Sequence, residues 1–307
     1  MSDYLDIRDF GAVGDGIADD TQALLAAMDA ARGKGIVFFS AGTYAVRPVR
    51  VPAHIVLMGR SNGSGAEKCT TLRALPGEGD ALLMLREAAG TRVFGLTLDG
   101  ALAGPAMSGI SIFGGKHLCA AVEDCEIRGF SGHGVTVQNA DAYAIRRCRI
   151  ASAGGHGIAL TDSSRGVIID CIAEDQAGAG VHSQGGRTEG TTIVCLRAER
   201  SLAGGVVMKD ASMAQINGCI FSGCGRRAVH LQNCAGVSVT GCLASGSEEG
   251  VAVNGGREIA VTGNVIAAPE DTGHGVALDG AQVAVAVVNA PEAVCGRVLT
   301  DAMGQSH

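Results

Sequence analysis

The sequence predicts an all-β fold, a right-handed parallel β-helix of about ten coils with an N-terminal capping α-helix. Three observations lead to this prediction. Two sequence markers recur with the same period of 22–25 residues, the segments between them alternate apolar and polar residues, and glycine makes up 47 of the 307 residues. Repeats of 20–50 residues are the signature of solenoid proteins, whose neighbouring repeats stack on one another.

The first marker is a Gly-Val or Gly-Ile step, with Ala-Val replacing it once. It occurs at Gly109-Ile110, Gly134-Val135, Gly157-Ile158, Gly180-Val181, Gly205-Val206, Ala228-Val229, Gly250-Val251 and Gly275-Val276. The second marker is a recurring cysteine, and an asparagine takes the last position of the series. It occurs at Cys125, Cys148, Cys171, Cys195, Cys219, Cys242 and Asn264. Two markers with one period indicate stacked structural units.

The local pattern identifies the units as strands. Short segments rich in Val and Ile, such as 135–137 and 144–150, alternate in polarity, which is typical of strands with one buried face. Segments of helical length and period are absent from residue 35 onward. Three short strands per repeat, separated by glycine turns, predict parallel coils about 4.8 Å apart.

The regular cysteines predict an inward ladder at one turn of each coil. A small buried thiol behaves as a stackable hydrophobic group, so this role is structural. The chain has 11 cysteines, and stacked parallel side chains fit disulfide torsions poorly, so we expect free thiols. Free thiols favour a cytoplasmic location, which the sequence does not otherwise fix.

The N-terminal region, residues 1–34, is predicted to cap the solenoid. Asp20 or Thr21 is positioned to cap a helix over 21–32, which Gly33 and Gly35 would end. Leu24, Leu25, Met28 and Ala31 would form its apolar stripe and cover the open core. We interpret Asp15, Asp19 and Asp20 as turn and cap residues rather than as a catalytic pair.

The opening of the chain resembles a known superfamily. Asp9-Phe10-Gly11-Ala12-Val13-Gly14-Asp15-Gly16, followed by Asp19-Asp20-Thr21, is similar to the start of pectate-lyase-like β-helix proteins. That superfamily includes polygalacturonase-type hydrolases, pectate-lyase-type proteins and phage tailspikes. The resemblance covers the whole chain, and no linker separates domains, so we predict one domain over 1–307, with coils over 35–290 and a tail over 291–307. It also implies a carbohydrate-active protein, with a carbohydrate or small molecule as substrate.

Composition narrows the possible partners. A net charge of −7 argues against a general nucleic-acid binder. No apolar run reaches the ~18 residues of a membrane span, and the charged first residues do not resemble a signal peptide. We expect no cofactor and assign no metal ligands, and calcium binding stays open although no cluster of acids resembles a calcium site. The expected oligomeric state is a monomer or a homotrimer.

Aligning the coils on the recurrent glycine brings polar residues together on the outer surface. Three consecutive coils carry His182, Gln184, Lys209, Asp210, Arg226, Arg227, His230 and Gln232, and the coil before them carries His156 and Asp162. We predict catalytic roles for His182, Lys209, His230, Asp162 and Asp210. We predict substrate binding by His156, Gln184, Arg226, Arg227 and Gln232.

Two chemistries fit this cluster. In a lyase or epimerase, His182, Lys209 or His230 would remove the proton beside a uronate carboxylate, and an arginine would offset the developing charge. In a hydrolase, Asp162 and Asp210, about 9.6 Å apart at the backbone, would act as acid and base. Two other possibilities stay open: a non-catalytic glycan-binding or tailspike-like structural module, and a small-molecule isomerase or cyclase.

Overall fold

The computed structural model describes residues 4–33, 35–60, 69–267, 274–288 and 298–300. It is a right-handed parallel β-helix of about 11 turns with one short α-helix, as predicted. Each full coil contributes one strand to each of three parallel sheets, which we call face A, face B and face C in chain order. All strand pairs are parallel, so each residue lies beside its equivalent one coil away.

The strands of each face follow the same order as the coils. Face A contains β1 (Tyr4–Asp6), β3 (Ile36–Phe38), β6 (Val56–Met58), β9 (Arg92–Phe94), β12 (Ala121–Glu123), β15 (Ala144–Arg146), β18 (Val167–Ile169), β21 (Thr192–Val194), β24 (Gln215–Asn217), β27 (Ser238–Thr240), β30 (Arg257–Ala267, which continues into face B) and β32 (Gln282–Val288). Face B contains β2 (Asp15–Asp19), β4 (Gly42–Val46), β7 (Thr70–Ala74), β10 (Thr97–Asp99), β13 (Glu126–Arg128), β16 (Arg149–Ala151), β19 (Ile172–Glu174), β22 (Arg197–Glu199), β25 (Ile220–Ser222) and β28 (Leu243–Ser245). Face C contains β5 (Val49–Arg50), β8 (Ala81–Arg86), β11 (Ser108–Phe113), β14 (Val135–Gln138), β17 (Ile158–Thr161), β20 (Ala179–Gln184), β23 (Gly204–Lys209), β26 (Arg227–Gln232), β29 (Glu249–Asn254), β31 (His274–Asp279) and β33 (Val298–Thr300).

The recurrent glycine lies where face C begins, and close packing explains it. A Cβ atom on Gly134 would lie 2.2 Å from Cγ2 of Ile150 and 2.7 Å from the carbonyl oxygen of Gly157. The apolar residue after each glycine is aligned from coil to coil, as the repeat predicts. The glycine therefore sets how closely successive coils approach at this corner.

The cysteine ladder is confirmed at five of its six predicted positions and is wrong at Cys195. The side chains of Cys125, Cys148, Cys171, Cys219 and Cys242 are buried at the turn between faces A and B, and buried Asn264 ends the row. Two extra residues between β20 and β21 place the next ladder position 25 residues after Cys171, one residue beyond Cys195, so buried Leu196 takes that position. Cys195 is exposed, at a turn position with φ of 53°.

The buried thiols donate hydrogen bonds to backbone carbonyl oxygens and do not form disulfide bonds with one another. Sγ of Cys148, for example, donates to the carbonyl oxygens of Val122 at 3.5 Å and Arg146 at 3.2 Å. A hydrogen bond with the Cys125 thiol, together with burial, raises the pKa of Cys148 well above its usual range. The ladder cysteines and Cys195 are free thiols, in agreement with the sequence expectation, whereas Cys295 lies outside the described residues.

The N-terminal cap differs from its prediction in three respects. Helix α1 spans Thr21–Ala30, which is shorter than 21–32, and it follows a 3₁₀ helix over Ile7–Phe10. Leu25 is 39% exposed, and Ala27 takes its place in the buried stripe. The capping region also contributes strands β1 and β2 to the first coil. In the region predicted as a polar tail, β33 pairs with β31.

The aspartates of the cap are structural, as predicted, although Asp20 occupies the N-cap position of α1 without a side-chain hydrogen bond to that helix. Asp20 accepts the backbone N–H groups of Val13 and Gly14, and Asp15 accepts those of Ile17 and Ala18. Asp19 accepts the N–H of Thr21, the first residue of α1. Each carboxylate therefore holds local backbone, which leaves none of them free as a catalytic pair.

Candidate functional site

The outer side of face C carries most of the predicted site residues. The register aligns the row Ser111, Thr136, Ala159, His182, Val207, His230, Ala252 and Ala277, and beside it the row Phe113, Gln138, Thr161, Gln184, Lys209, Gln232, Asn254 and Asp279. Two open depressions lie along this face, with β23 between them. The structure therefore divides the predicted cluster into two parts.

The first depression is built around a stack of three imidazole rings, which we call the histidine stack: His133, His156 and His182. The ring centroids of His133 and His156 are 5.1 Å apart, and those of His156 and His182 are 4.3 Å apart. The rings are almost parallel, with interplanar angles of 2° and 6°. The depression measures about 330 Å³ and also contains the polar side chains Thr136, Gln138, Thr161 and Gln184.

Two members of the stack are fixed by backbone hydrogen bonds. Nδ1 of His133 accepts the N–H of His156 at 2.8 Å, and Nδ1 of His156 accepts the N–H of Ala179 at 2.9 Å. An Nδ1 atom that accepts a hydrogen bond carries no proton, so these rings are neutral with the proton on Nε2. Burial lowers the pKa of His133, and burial with the neighbouring imidazoles lowers the pKa of His156 to about 4.

His182 differs from the other two rings in its hydrogen bonding. Within the described residues, no hydrogen bond joins either ring nitrogen to the protein, so its orientation depends on stacking against His156. Burial lowers the pKa of His182, and the nearby Lys209 ammonium lowers it further. His182 is therefore a neutral base at physiological pH with a lone pair available to a bound molecule.

Lys209 lies between the two depressions on an exposed position of β23. Burial is the main cause of the lowered pKa of both His182 and His230, and the Lys209 ammonium lowers each pKa further. No ion pair joins Lys209 to a carboxylate in the part of the chain that the structure describes. It is a cation available for an anionic ligand next to a neutral base.

The second depression, of about 210 Å³, is lined by groups that already pair with one another. The Arg227 guanidinium and the Arg226 guanidinium both contact the Glu249 carboxylate. Nε2 of His230 lies 2.7 Å from Oδ1 of Asn254, whose amide donates to Asp279 at 3.4 Å. His230 faces outward as predicted, but these neighbours cover it and leave it 7% exposed, which corrects the expectation of an accessible imidazole.

The two predicted hydrolase carboxylates occupy equivalent tight turns after face C. Asp162 has φ of 47° and Asp210 has φ of 52°, and Gly185 occupies the same position in the coil between them. Asp, Asn and Gly tolerate this left-handed conformation, so the backbone accounts for the aspartates. Oδ1 of Asp162 also accepts the N–H of Arg187 at 3.3 Å, whereas Asp210 is exposed.

Each remaining predicted residue also has a clear position. Gln184 lines the first depression beside His182, and His156 lies within the histidine stack. Arg226 is exposed and pairs with Glu248 and Glu249. Gln232 lies in register between Lys209 and Asn254, outside the linings of both depressions.

Four residues that matter in this geometry were absent from the predicted site: His133, Gln138, Glu249 and Asn254. In the alignment of coils on the recurrent glycine, His133 and Glu249 directly precede the glycine, as His156 does. Gln138 and Asn254 follow it by four residues, as Gln184 and Gln232 do, so the repeat alignment contained the signal. The alignment could not predict the direction of the side chains. His133 and His156 precede the recurrent glycine and His182 follows it by two residues, yet their rings stack on one another. The alignment also lacked the ion pair that gives Arg227 a partner.

No group of three histidine, cysteine, aspartate or glutamate side chains among the described residues is arranged to hold a metal ion. Neither is any described helix long and apolar enough to cross a membrane.

Two family models match the sequence. The model described as "Right handed beta helix region" matches residues 108–266 and 204–289, which together exceed half of the chain. The model described as "Rhamnogalacturonase A/epimerase, pectate lyase-like" matches residues 4–89, the region of the cap and first coils.

Individual relatives match shorter segments or share only the fold. Mannuronan C5-epimerase AlgE5 of Azotobacter vinelandii is 41% identical over 110 residues, which cover 32% of this chain and 11% of that protein. The enzymatically active domain of bacteriophage CBA120 tailspike protein 2 superposes with a TM-score of 0.69, at 13% identity, over 94% of this chain and 47% of that one. The Streptococcus pneumoniae surface adhesin PfbA superposes with a TM-score of 0.61, at 14% identity, over 94% and 89%.

Proposed function

Because this chain belongs to the right-handed β-helix family, within the pectate-lyase-like superfamily, we propose that it is a carbohydrate-active enzyme for uronate-containing glycans. Its reaction is removal of the proton beside the uronate carboxylate, which is the first step of a lyase or an epimerase. The observation that carries this proposal is the neutral, unbonded His182 ring beside the Lys209 ammonium.

His182 and Lys209 have complementary tasks in this reaction. His182 takes the proton from the carbon beside the carboxylate, and the electron pair of the broken C–H bond moves into the carboxylate. Lys209 binds that carboxylate and stabilises the charge that develops on it. In a lyase, the proton on His182 passes to the leaving oxygen as the neighbouring C–O bond breaks, which gives an unsaturated sugar. In an epimerase, solvent water donates a proton to the opposite side of the carbon, and the resulting hydroxide takes the proton from His182.

The rest of the histidine stack positions the base. His156 is held by the N–H of Ala179 and presents a flat surface on which His182 stacks. Gln184 and Gln138 offer amide groups to the sugar hydroxyls along the same row. In this proposal Asp162 and Asp210 hold turns and have no chemical step.

The comparisons support a carbohydrate-directed activity without assigning a reaction. The AlgE5 relative is named for epimerisation of mannuronan, but the matched segment covers about a tenth of its length. The solved structures below 25% identity support the shared fold only. The reaction and the substrate therefore depend on the site argued above.

Deuterium exchange tests proton removal without prior choice between lyase and epimerase. The protein is incubated in D₂O with polymannuronate or polygalacturonate, deuterium at the sugar carbon is measured by NMR and mass spectrometry, and absorbance near 235 nm is followed for unsaturated product. We expect exchange or unsaturation with the wild type, and a loss of at least about 100-fold in His182→Gln, the usual size of a general-base contribution.

Matched controls make the result specific. Lys116→Gln, an exposed lysine outside both depressions, should keep the wild-type rate, while Lys209→Gln should lose activity. Full activity in His182→Gln would contradict the proposal that His182 is the base. New reducing ends without exchange or unsaturation would indicate hydrolysis instead.

A second candidate function is non-catalytic glycan binding, and the second depression favours it. Arg227, Glu249, His230 and Asn254 already pair with one another, which suits fixed hydrogen bonding to sugar hydroxyls rather than proton transfer. Saturable binding of oligosaccharides by calorimetry, without exchange or cleavage in any substrate, would favour this reading.

A further inference from the structure

One edge of the solenoid lacks charge over three consecutive coils. Each coil has five outward positions around the turn from face A to face B: two on face A, one at the turn and two on face B. In these coils the fifteen positions are Gln215, Asn217, Gly218, Ile220, Ser222, Ser238, Thr240, Gly241, Leu243, Ser245, Ala260, Thr262, Gly263, Val265 and Ala267. None of them is ionisable. We call this surface the neutral edge.

The same edge is strongly charged in the coils before it. Equivalent positions there carry Glu123, Asp124, Glu126, Arg128, Arg146, Arg147, Arg149, Asp170, Glu174, Arg197 and Glu199. Several form ion pairs between coils, such as Arg147 with Asp124. The loss of charge is therefore a local change on a continuous surface, in contrast to the 25–35% of charged residues expected on a soluble surface.

The neutral edge also exposes a row of branched apolar side chains. Ile220, Leu243 and Val265 follow one another on face B and are 38%, 45% and 38% exposed. Glycines at the turn flank this row on one side, and small Ser and Ala residues flank it on the other. The result is a ridge between two shallow furrows, repeated about every 4.8 Å along the axis.

In place of the monomer or homotrimer expected from the sequence, we propose that the neutral edge is the interface of a homodimer, with a second copy of this chain packed against it about a two-fold axis. A row of side chains spaced at the coil repeat fits best into a furrow with the same spacing, and a second copy supplies one. In a two-fold arrangement each ridge lies in the partner's furrow. Two uncharged surfaces also meet without leaving a buried, unpaired charge.

The size of the surface is sufficient for a dimer of modest affinity. A standard interface buries about 800 Å² on each partner with 20–30 residues, or roughly 30 Å² per residue. Fifteen residues then bury about 450–500 Å² per copy, or about 900–1,000 Å² in total, which is the size of a weak interface. Thr192 and Val194 extend the uncharged part of face A by one more strand.

Analytical ultracentrifugation over about 1–200 µM tests the proposal, with Leu243→Arg as the diagnostic variant. We expect a monomer–dimer equilibrium for the wild type and a dissociation constant at least tenfold higher for Leu243→Arg. Leu202→Arg is the matched control, because Leu202 is 72% exposed and lies away from the neutral edge. Circular dichroism establishes that both variants keep the wild-type fold.

Each other outcome overturns the proposal. A wild type that stays monomeric across the range has no such interface, and a dimer that survives Leu243→Arg is formed elsewhere. A trimer contradicts the two-fold arrangement, and dissociation by Leu202→Arg as well shows that the effect is not confined to this edge.

Discussion

At the scale of the residue, the histidine stack shows how identical side chains acquire different chemistry. His133 and His156 each use Nδ1 to accept a backbone N–H from the next coil, and so serve the scaffold. His182 lies two residues after the recurrent glycine rather than before it and makes no such bond within the described residues, so its ring nitrogens are available to a bound molecule. His133 and His156 thus form a fixed pair, and the reactive His182 ring stacks on it.

The stack makes stability depend on pH in a defined direction. The folded protein holds His156 neutral with a pKa of about 4, whereas an unfolded histidine titrates near 6.5, so the unfolded state binds more protons between these values. Stability should therefore be complete above about pH 6.5 and fall as the pH decreases toward 4. After allowance for the partial exposure of the ring, we expect a loss of about 1–2 kcal/mol.

Urea unfolding at pH 7.5, 5.5 and 4.5 measures this loss. His156→Asn keeps an acceptor for the Ala179 N–H but does not titrate, so its unfolding free energy should change less with pH. A variant whose pH dependence equals that of the wild type would show that other groups carry the effect.

The exception in the cysteine ladder gives a second prediction at this scale. Cys195 and Cys119 are exposed and should react with a thiol reagent within minutes in the native state, whereas the buried ladder thiols should react only on unfolding. Cys195→Ser should leave the thermal midpoint unchanged. Cys171→Ser, in the buried ladder, should lower it, because a more polar hydroxyl replaces a packed thiol.

Differential scanning fluorimetry of the two serine variants, together with timed reagent counts, separates the positions. Slow reaction at Cys195, or equal destabilisation by both substitutions, would contradict the assignment of Leu196 to the ladder.

At the scale of the element, the corner where face C begins requires a residue without a side chain. A Cβ on Gly157 would lie 2.6 Å from the carbonyl oxygen of Gly180, which is backbone of the next coil and cannot rotate away. The short turn and the strand that follows it are therefore coupled between coils.

Gly157→Ala should lower the free energy of unfolding by about 1–3 kcal/mol, the usual cost of forcing atoms into a packed site. Gly186→Ala is the control, because its added Cβ would meet no atom within 4 Å. Chemical denaturation of both variants measures the difference. Equal stability of the two proteins would mean that the coils separate to accept the methyl group at little cost.

At the scale of the whole molecule, periodicity carried most of what the sequence could predict. The glycine and cysteine periods predicted the coil stacking, the register of face C and the rows that contain His182, Lys209 and His230. The predicted cysteine ladder was wrong at Cys195 because two extra residues lie between β20 and β21 of that coil. The coverage of His230 and the stacking of His156 on His182 depend on side-chain directions that no repeat encodes.

The capping helix affects how two copies of this molecule can contact each other. The buried side of helix α1 packs on the 3₁₀ helix and on β4. A helix presents no strand edge of its own, so a second copy cannot add a strand where α1 lies. At that position the cap favours contact between copies through the flank of the solenoid rather than through strand pairing.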